Sequence, residues 1–276
     1  MGIVQPDDAG GYRAVMPVPL RRKFGIWRVH QPLFCQMLGV FSSDPTFELT
    51  PFYRVVYERF RYGSVLCSFH DPAAAVPFGL VRQHSTHVLD LSVGYDAIYQ
   101  NYTSDRRRNL RRALAADWTL TDSTDLEPLL TLFRDNHADA IDGGVGPWAY
   151  DLLRNLYQAL RNRGLVTLRY AVRDGQVEAG ALFVREGNRI IHLFNAASEA
   201  GRRGNARTLL LDGVIQQNAR RDDAGRPIWF DFESPEKPSI RAFYASFGAV
   251  SQPFWSVRWS RLTWPERAVW RLLTRF

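Results

Sequence analysis

The residues best suited to chemistry form a short basic segment, Gly201-Arg202-Arg203-Gly204-Asn205-Ala206. The apolar run Ile190–Ala197 precedes it and is typical of a strand, and Arg207–Arg220 follows it with helical spacing of apolar residues. A strand that turns through glycines into a helix directs several backbone N–H groups and the positive helix end at one point. We therefore predict a site for an anion, most often a phosphate. The alternative is an ordinary surface turn in which Asn205 caps the helix.

Three further side chains downstream could move protons. Tyr244 lies in a predicted helix at Ile240–Gly248, and its hydroxyl can protonate a leaving group. Asp231 and Glu233 lie two residues apart around the predicted strand Trp229–Phe232, so both should leave the same face and could order and deprotonate an ammonium. The structural alternatives are a packed Tyr with its hydroxyl at the rim, and an Asp that caps the next turn or pairs with an arginine.

A run of arginines occupies residues 106–112, inside a helix predicted for Tyr95–Asp117. A solvated helix face is the simplest interpretation of such a run. The alternative is that Arg106, Arg108 and Arg112 bind a polyanion such as tRNA, a CoA phosphate or a phospholipid head group.

Periodicity indicates the elements that must position these residues. The second half of the chain contains predicted helices at Leu126–Ala138 and Pro147–Arg163, then strands joined by turns at Asp174-Gly175 and Gly187-Asn188. One helix is predicted in the first half of the chain, at Thr46–Arg61. The strands predicted there are Tyr12–Pro19, Gly25–His30, Phe34–Phe41, Ser64–His70 and His87–Leu91. Helices that lead into an antiparallel meander indicate an α+β fold. We place domains at 1–92 and 93–263, followed by a tail at 264–276.

Composition limits the class of protein. Of 276 residues, 46% are hydrophobic and 23% are charged, which is ordinary for a globular protein. No stretch approaches the roughly 18 to 20 apolar residues of a membrane span, and Met1–Gly11 lacks the regions of a signal peptide. Cys35 and Cys67 lie in apolar runs, and no Cys/His grouping has zinc spacing. We therefore expect a cytoplasmic protein with reduced thiols and no metal.

The net charge and the tail at 264–276 indicate which kinds of partner the protein could bind. The net charge of +7 permits anionic partners without selecting one. The tail Trp264–Phe276 has apolar residues near one helical face and arginines on another. Such a helix can lie on an anionic membrane, but a short terminal helix more often docks onto its own domain, which is our expectation.

Two of these motifs together resemble the GNAT acyltransferases. That family's carrier loop follows the pattern Arg/Gln-x-x-Gly-x-Gly/Ala, and Gly204 and Ala206 match its last two defined positions, whereas Gly201 departs from the first. Tyr244, four residues before Gly248, matches the family's Tyr-x-x-x-Gly signature. The segments Ser104–Ala113, Asn205–Leu210, Phe230–Glu233 and Phe243–Gly248 are similar to the FemAB-like branch.

The resemblance covers residues 95–262 and, more loosely, 12–91. It implies two GNAT-like halves with mixed, largely antiparallel sheets flanked by helices, the first half being incomplete. It further implies that a backbone N–H near Phe194, Asn195 and Ala196 stabilises the oxyanion. By the same resemblance, Arg202, Arg203, Gly204, Asn205 and Ala206 would hold the acyl carrier, and Tyr244 would protonate the leaving thiolate or ribose oxygen.

The resemblance implies transfer of an acyl group, mainly acetyl, from acetyl-CoA or another acyl-CoA to an amine acceptor, both being small molecules. One alternative is aminoacyl transfer from charged tRNA to a cell-wall precursor. Another is a GNAT-like module that binds a ligand or partner without catalysis. No DNA partner is expected. The acceptor and the oligomeric state remain open at this point.

Overall fold

A computed structural model describes residues 1–23, 25–67, 79–233 and 237–273 of the chain. These fold into two compact units, one formed by Met1–His84 with Pro253–Phe276 and the other by Ser85–Gln252. The strands are β1 (Gly2–Pro6), β2 (Tyr12–Pro17), β3 (Leu20–Lys23), β4 (Ile26–Val29), β5 (Phe41–Ser42), β6 (Tyr62–Cys67), β7 (Leu80–Asp90), β8 (Thr119–Ser123), β9 (Val166–Arg173), β10 (Gln176–Glu186), β11 (Arg189–Ala197), β12 (Trp229–Asp231) and β13 (Val250–Ser260). The helices are α1 (Thr50–Arg59), α2 (Tyr95–Gln100), α3 (Ser104–Leu114), α4 (Glu127–Asn136), α5 (Pro147–Arg161), α6 (Glu199–Arg203), α7 (Ala206–Asn218), α8 (Pro238–Ala245) and α9 (Trp264–Leu273).

The predicted α+β class with mixed sheets flanked by helices is confirmed. The domain boundaries differ from those predicted at 92/93 and 263. Residues 253–260 of β13 belong with the first unit because this strand pairs with β6, from Trp255 opposite Cys67 to Ser260 opposite Tyr62. Among the described residues, no helix is both long enough and apolar enough to cross a membrane.

The first unit contains a three-stranded sheet, β1-β2-β5, and strands in the order β3-β4-β6-β13. Its core packs α1 residues Phe52 and Val56 against strand residues that include Val65 and Val257. The strand predicted at Phe34–Phe41 is wrong, since of these residues only Phe41 belongs to a strand, and Phe34 has a φ of 59°, outside the extended region. Residues 68–70 of the strand predicted at Ser64–His70 lie outside the described residues.

The second unit contains strands in the order β7-β12-β11-β10-β9-β8. The β8, β9, β10 and β11 neighbours are antiparallel, as their short connections require, whereas β11 and β12 are parallel and are joined through α7. A core of buried residues covers this sheet, including Phe183, Leu210, Ile215, Phe230 and Phe247. The predicted hairpin at Asp174-Gly175 is confirmed, with both residues at positive φ.

The helix predicted at Tyr95–Asp117 is two helices, α2 and α3. The break comes at Thr103, which has extended backbone angles and whose side chain accepts a hydrogen bond of 3.2 Å from the Arg106 amide. A threonine in this position satisfies one of the unpaired N–H groups at a helix start. The sequence contains a signal for this break, because Thr103-Ser104-Asp105 is typical of a helix start and residues 103–109 include no apolar side chain.

A buried carboxylate fixes the position of α7. Asp212 accepts hydrogen bonds from the hydroxyls of Tyr95 and Tyr102, at 2.9 and 3.0 Å. Burial raises the pKa of Asp212, and the two phenolic donors oppose that rise. These bonds hold α7 against the α2 region, so the residues at the start of α7 have a defined place beside β11.

Candidate active site

The sheet of the second unit opens between β11 and β12. The two strands pair only at Arg189–Trp229, Ile190–Phe230 and Ile191–Asp231. β11 then continues to Ala197, whereas β12 ends and the next amide, that of Phe232, donates to His87 O at 3.0 Å on its other side. Within the described part of the chain, no strand pairs with β11 beyond Ile191 on this side. The far end of β11 therefore presents its backbone to an opening.

Successive residues of an antiparallel strand direct their backbone N–H and C=O groups to opposite sides, and this alternation shows which peptide groups face the opening. The Ser198 amide donates to Glu178 O at 2.9 Å, so Ser198 and Ala196 belong to the positions that bond β10. The residues between them, Asn195 and Ala197, direct their backbone groups the other way. Ala197 confirms this direction, because its amide donates to His137 Nε2 at 3.2 Å and its carbonyl accepts from Arg202 Nη1 at 2.8 Å.

A cavity of about 200 Å³ lies at the opening. The end of β11, both helices that follow it, α8 and the end of α4 all contribute to its walls. The lining residues are His137, Asn195, Ala197, Gly201, Arg202, Asn205, Arg207, Thr208 and Phe243. Three of the residues predicted from sequence, namely Asn195, Arg202 and Asn205, are brought together here.

The predicted open phosphate loop is wrong. Residues 199–203 form α6, in which Ser198 caps the first turn and its Oγ accepts from the Gly201 amide at 3.0 Å. The Gly204 amide donates to Ala200 O at 2.9 Å and the Asn205 amide to Arg202 O at 3.2 Å, so neither is available for an anion. Asn205, with a φ of 56°, links α6 to α7 as a left-handed residue, a conformation that Asn tolerates.

Gly204 and Ala206 are also covered. Trp118 Nε1 donates to Gly204 O at 2.8 Å, and a side chain at Gly204 would lie closer than 3.0 Å to the indole ring. Ala206 is fully buried in the core.

The other predicted carrier residues lie in different environments. Arg203 is exposed and forms an ion pair with Glu199 one helical turn before it. Ala196 is buried, and the Phe194 ring packs on Phe133 at 4.8 Å between centroids.

Two largely buried guanidinium groups give the cavity a positive potential. Arg207 Cζ lies 4.0 Å from the centroid of the Phe243 ring, and Arg106 Cζ lies 4.1 Å from the same ring. Arg106, only 5% exposed, donates to Ser246 Oγ at 2.9 Å and to Thr208 Oγ1 at 2.6 Å. In the described residues neither arginine pairs with a carboxylate. Burying such charges without a counter-ion is unfavourable, and a bound anion would relieve it.

The pKa values of these arginines reflect that environment. Burial, and then the nearby charge of Arg207, lowers the pKa of Arg106 to about 10. Burial also lowers the pKa of Arg207. The pKa of Arg106 remains above neutral pH, so its guanidinium stays charged there.

The assignment of Arg106 to a polyanion-binding helix surface is wrong, because the side chain is buried behind the cavity wall. Arg108 is exposed and pairs with Asp105 at 2.6 Å, and Arg112 is exposed on the same helix.

Tyr244 lies immediately behind the cavity wall. It is 3% exposed, its ring stacks on Phe232 at 4.6 Å, and its hydroxyl is 3.5 Å from His192 Nδ1. Burial raises the pKa of Tyr244, while Arg207 and a hydrogen bond with the Asn195 side chain oppose the rise. The hydroxyl therefore stays protonated at neutral pH and is hydrogen-bonded to the side chain of Asn195, which lines the cavity.

His192 should make the stability of the fold sensitive to acid. Burial, and then Arg207, lowers its pKa to about 3, whereas an unfolded chain has a His pKa of about 6.5. As the pH falls from 6.5 to 3, the unfolded state takes up the proton and the folded state does not. We expect the His192 contribution to the free energy of unfolding to fall by about 1.4 kcal/mol per pH unit in this window.

Equilibrium denaturation of the native chain and of His192→Gln at several pH values tests this expectation. The difference between the two at pH 7.5 gives the pH-independent effect of the substitution. The native chain should lose stability more steeply than the variant on acidification. Parallel pH profiles would show that His192 titrates normally and would contradict its buried neutral state.

Asp231 and Glu233 do not form the predicted pair. Asp231 is buried and accepts from Thr86 Oγ1 and from the Glu233 amide, each at 2.9 Å, and it forms an ion pair with Arg189. β12 ends at Asp231 and Glu233 has a φ of 41°, so the two side chains do not share a strand face. The assignment of Asp231 as an amine-orienting base is wrong, because its oxygens already hold the fold together. The alternative interpretation, in which Asp231 caps the next turn and pairs with an arginine, is correct.

His137 and Arg207 line the cavity but were missed from sequence. His137 Nε2 accepts from the Ala197 amide, and burial lowers the pKa of His137, so the ring is neutral at neutral pH. It comes from the end of α4, sixty residues away from Ala197, and no spacing pattern connects them. Arg207 had a detectable signal, since it is a charged residue in the first turn of a helix whose other residues are mostly apolar.

The mixed sheet that opens beside this cationic cavity lies largely within a segment whose sequence identifies it as an acyltransferase domain. Residues 99–232 match the family model of the acetyltransferase (GNAT) domain. This match assigns residues 99–232, just under half of the chain, to the GNAT acyltransferases, as the sequence motifs predicted. No curated protein is similar enough in sequence to count as a relative.

Solved structures show the same fold at low sequence identity. FemX has a TM-score of 0.67 and 14% identity, over 99% of this chain and 89% of FemX. The C-terminal domain of a putative lysylphosphatidylglycerol synthetase from Agrobacterium fabrum has a TM-score of 0.59 and 14% identity, over 95% of this chain and 84% of that domain. L-PGS from Bacillus licheniformis has a TM-score of 0.58 and 13% identity, over 99% of this chain and 88% of that protein. At these identities the similarity concerns the fold.

Proposed function

We propose that the protein transfers an acyl group, acetyl in the first instance, from a CoA thioester to an amine. The observation that supports this most directly is the opening between β11 and β12, where backbone groups of Asn195 and Ala197 face a cavity next to Arg207. Such a place can hold a carbonyl group and stabilise the negative charge that develops on its oxygen.

The reaction requires a defined exchange of bonds. The amine nitrogen attacks the thioester carbonyl carbon, a C–N bond forms, and the C–S bond breaks. In this proposal the backbone amide of Asn195 and the Arg207 guanidinium stabilise the oxyanion. The leaving thiolate takes a proton from the Tyr244 hydroxyl once the side chains of Asn195 and Arg207 turn toward the substrate. The attacking amine releases its own proton to water, and water restores the Tyr244 hydroxyl.

The cavity has room for the reacting groups but not for a whole carrier. At about 200 Å³ it is smaller than the roughly 300 to 1,000 Å³ of pockets that enclose drug-sized ligands. The nucleotide of a carrier would therefore lie outside it, along α6. Arg202 and Arg203 are exposed there, and we assign them, rather than the occupied amides of Gly204 and Asn205, to the carrier phosphates.

A second candidate donor is aminoacyl-tRNA. The observation that favours it is that the Gly204 and Asn205 amides are already bonded within the protein, so the loop before α7 offers neither of them to a carrier phosphate. In that case a cell-wall precursor would be the acceptor, and the exposed Arg108 and Arg112 would contact the tRNA backbone.

Donor binding separates these candidates. We expect acetyl-CoA to raise the melting temperature of the native chain by several degrees, because a ligand that binds only the folded state stabilises it. Arg202→Gln/Arg203→Gln should remove most of that shift. A control with the same change in charge is Arg161→Gln/Arg163→Gln, at exposed positions at the end of α5. A substitution at Gly204 is unsuitable, since any side chain there collides with Trp118.

Two results would contradict the CoA proposal. One is the absence of a shift with any CoA ester while aminoacyl-tRNA stabilises the protein, which would assign the second donor. The other is an equal loss of the shift in the control pair, which would assign the effect to net charge alone.

A further inference from the structure

The net charge of the chain resides entirely in one of its two units. Met1–His84 with Pro253–Phe276 contains 14 basic and 7 acidic residues, a net charge of +7. Ser85–Gln252, which contains the candidate active site, has 21 of each and a net charge of zero. Charge that is concentrated in the unit without the candidate active site points to a separate role in binding an anionic partner.

The first unit also has an apolar groove with a basic rim. It has a volume of about 480 Å³. The residues that line it, here called the basic groove, are Met1, Leu20, Ile26, Trp27, Arg59, Phe60 and Arg61. Trp27 is 52% exposed and Met1 is 49% exposed, so the groove leaves large apolar groups in contact with water. Exposed apolar surface beside charged residues is typical of an interaction site.

The β3–β4 hairpin adds a further arginine to this surface. In its antiparallel register Arg22 is directly opposite Trp27, and residues opposite one another share a face of the sheet. Leu20, which lines the groove, lies on that same face because it is two residues before Arg22. In the described residues, Arg22 and Arg59 are exposed and neither pairs with a carboxylate.

The first turn of α9 is attached to the same rim. Arg61 Nη1 lies 2.9 Å from Glu266 Oε1, and its Nη2 lies 2.5 Å from Glu266 Oε2. This pair brings Trp264, which is 78% exposed, into the neighbourhood of the basic groove. The surface therefore combines indole rings, aliphatic side chains and guanidinium groups, of which those of Arg22 and Arg59 pair with no carboxylate among the described residues.

We infer that the basic groove and the adjoining Arg22 and Trp264 form a docking surface for a bilayer that contains anionic phospholipid. Tryptophan is favoured at the boundary between water and lipid, and arginines near an anionic bilayer gain electrostatic attraction. Aliphatic residues such as Leu20 and Ile26 favour lipid over nucleic acid, because they can enter the head-group region but cannot stack on bases.

Vesicle co-sedimentation of the full chain tests the inference. We expect binding to vesicles of phosphatidylcholine mixed with phosphatidylglycerol, little binding to phosphatidylcholine alone, and weaker binding at high salt. Arg22→Gln/Arg59→Gln should lower the partition coefficient by about 30-fold, as two basic residues near such a surface imply. Arg161→Gln/Arg163→Gln, in the neutral unit, has the same change in charge and should bind like the native chain.

A second pair of variants tests the apolar component. Trp27→Ser should lower binding by about tenfold through lost apolar burial. Trp148→Ser removes a Trp that is 57% exposed on α5 in the other unit and should have no effect. Melting temperatures near that of the native chain would show that each variant is folded.

Three results would overturn the inference. Equal binding to both kinds of vesicle, or equal losses in the variants and their controls, would remove the docking surface. Binding of monomeric short-chain phosphatidylglycerol without vesicle binding would assign a single-lipid site instead. Stronger loss of tRNA binding than of vesicle binding in Arg22→Gln/Arg59→Gln would assign the surface to nucleic acid.

Discussion

Replacement of Tyr244 by Phe is expected to lower the rate of acyl transfer by about 10²- to 10⁴-fold, the usual range for loss of a general acid. The substitution removes one oxygen and keeps the ring that packs on Phe232 and Phe243. Burial keeps the hydroxyl protonated at neutral pH, so it can donate to the leaving thiolate once the Asn195 side chain and Arg207 turn toward the substrate. The effect should appear in kcat more than in KM, since the proton moves only in the reacting complex.

Tyr157→Phe is the matched control. Tyr157 lies on α5 and is also buried. Its hydroxyl donates to Thr124 O at 3.0 Å, away from the cavity. Its loss should reduce the free energy of unfolding by about 1 kcal/mol and leave the rate of transfer unchanged. If Tyr244→Phe retained the native rate, the hydroxyl would have only a packing role, and the proton would reach the leaving group from water.

Gly201→Ala is expected to destabilise the fold by about 3 kcal/mol, at the upper end for an overpacked site. A Cβ at Gly201 would lie closer than 3.0 Å to the carbonyl oxygen of Glu178, a backbone atom that cannot rotate away. That oxygen accepts the Ser198 amide, so the added methyl must push α6 from β10 and break this bond. Arg202 would move with α6, and the shape of the cavity would change.

Gly213→Ala provides the comparison. A Cβ there would meet Leu120 Cδ1 at 3.5 Å and Arg169 Nη1 at 3.7 Å, which are ordinary contacts. Because Gly213 lies inside α7, the change to Ala should stabilise the protein by about 0.5 to 1 kcal/mol. Chemical denaturation measures both variants. Similar values for the two would mean that α6 is not seated on β10 as described.

Much of the fold could be predicted from local sequence signals. The alternation of Val166–Arg173, the Asp-Gly turn after it and the proline at the start of α5 all correspond to observed elements. These features succeed because each depends on neighbouring residues. The apolar run Ile190–Ala197 and the helix after Asn205 are likewise local.

The site was predicted less well because its contacts are not local. Glycines at residues 201 and 204 indicated an open loop, yet Ser198 and the close approach of Glu178 select a helical turn in which Gly201 is needed for packing. Asp231 has the position of a base in the strand, but Arg189 and Thr86 occupy its oxygens. Such partners are determined by tertiary packing, which residue spacing does not encode.

The three-residue pairing of β11 with β12 has a consequence for substrate recognition. The gap beyond Ile191 is produced by the course of two core strands and not by mobile loops. A gap made in this way exists before any substrate arrives, so binding need not rearrange these two strands. Preorganisation of this kind places most of the entropic penalty of association on the substrate, and it favours compact, rigid acyl groups over long flexible ones.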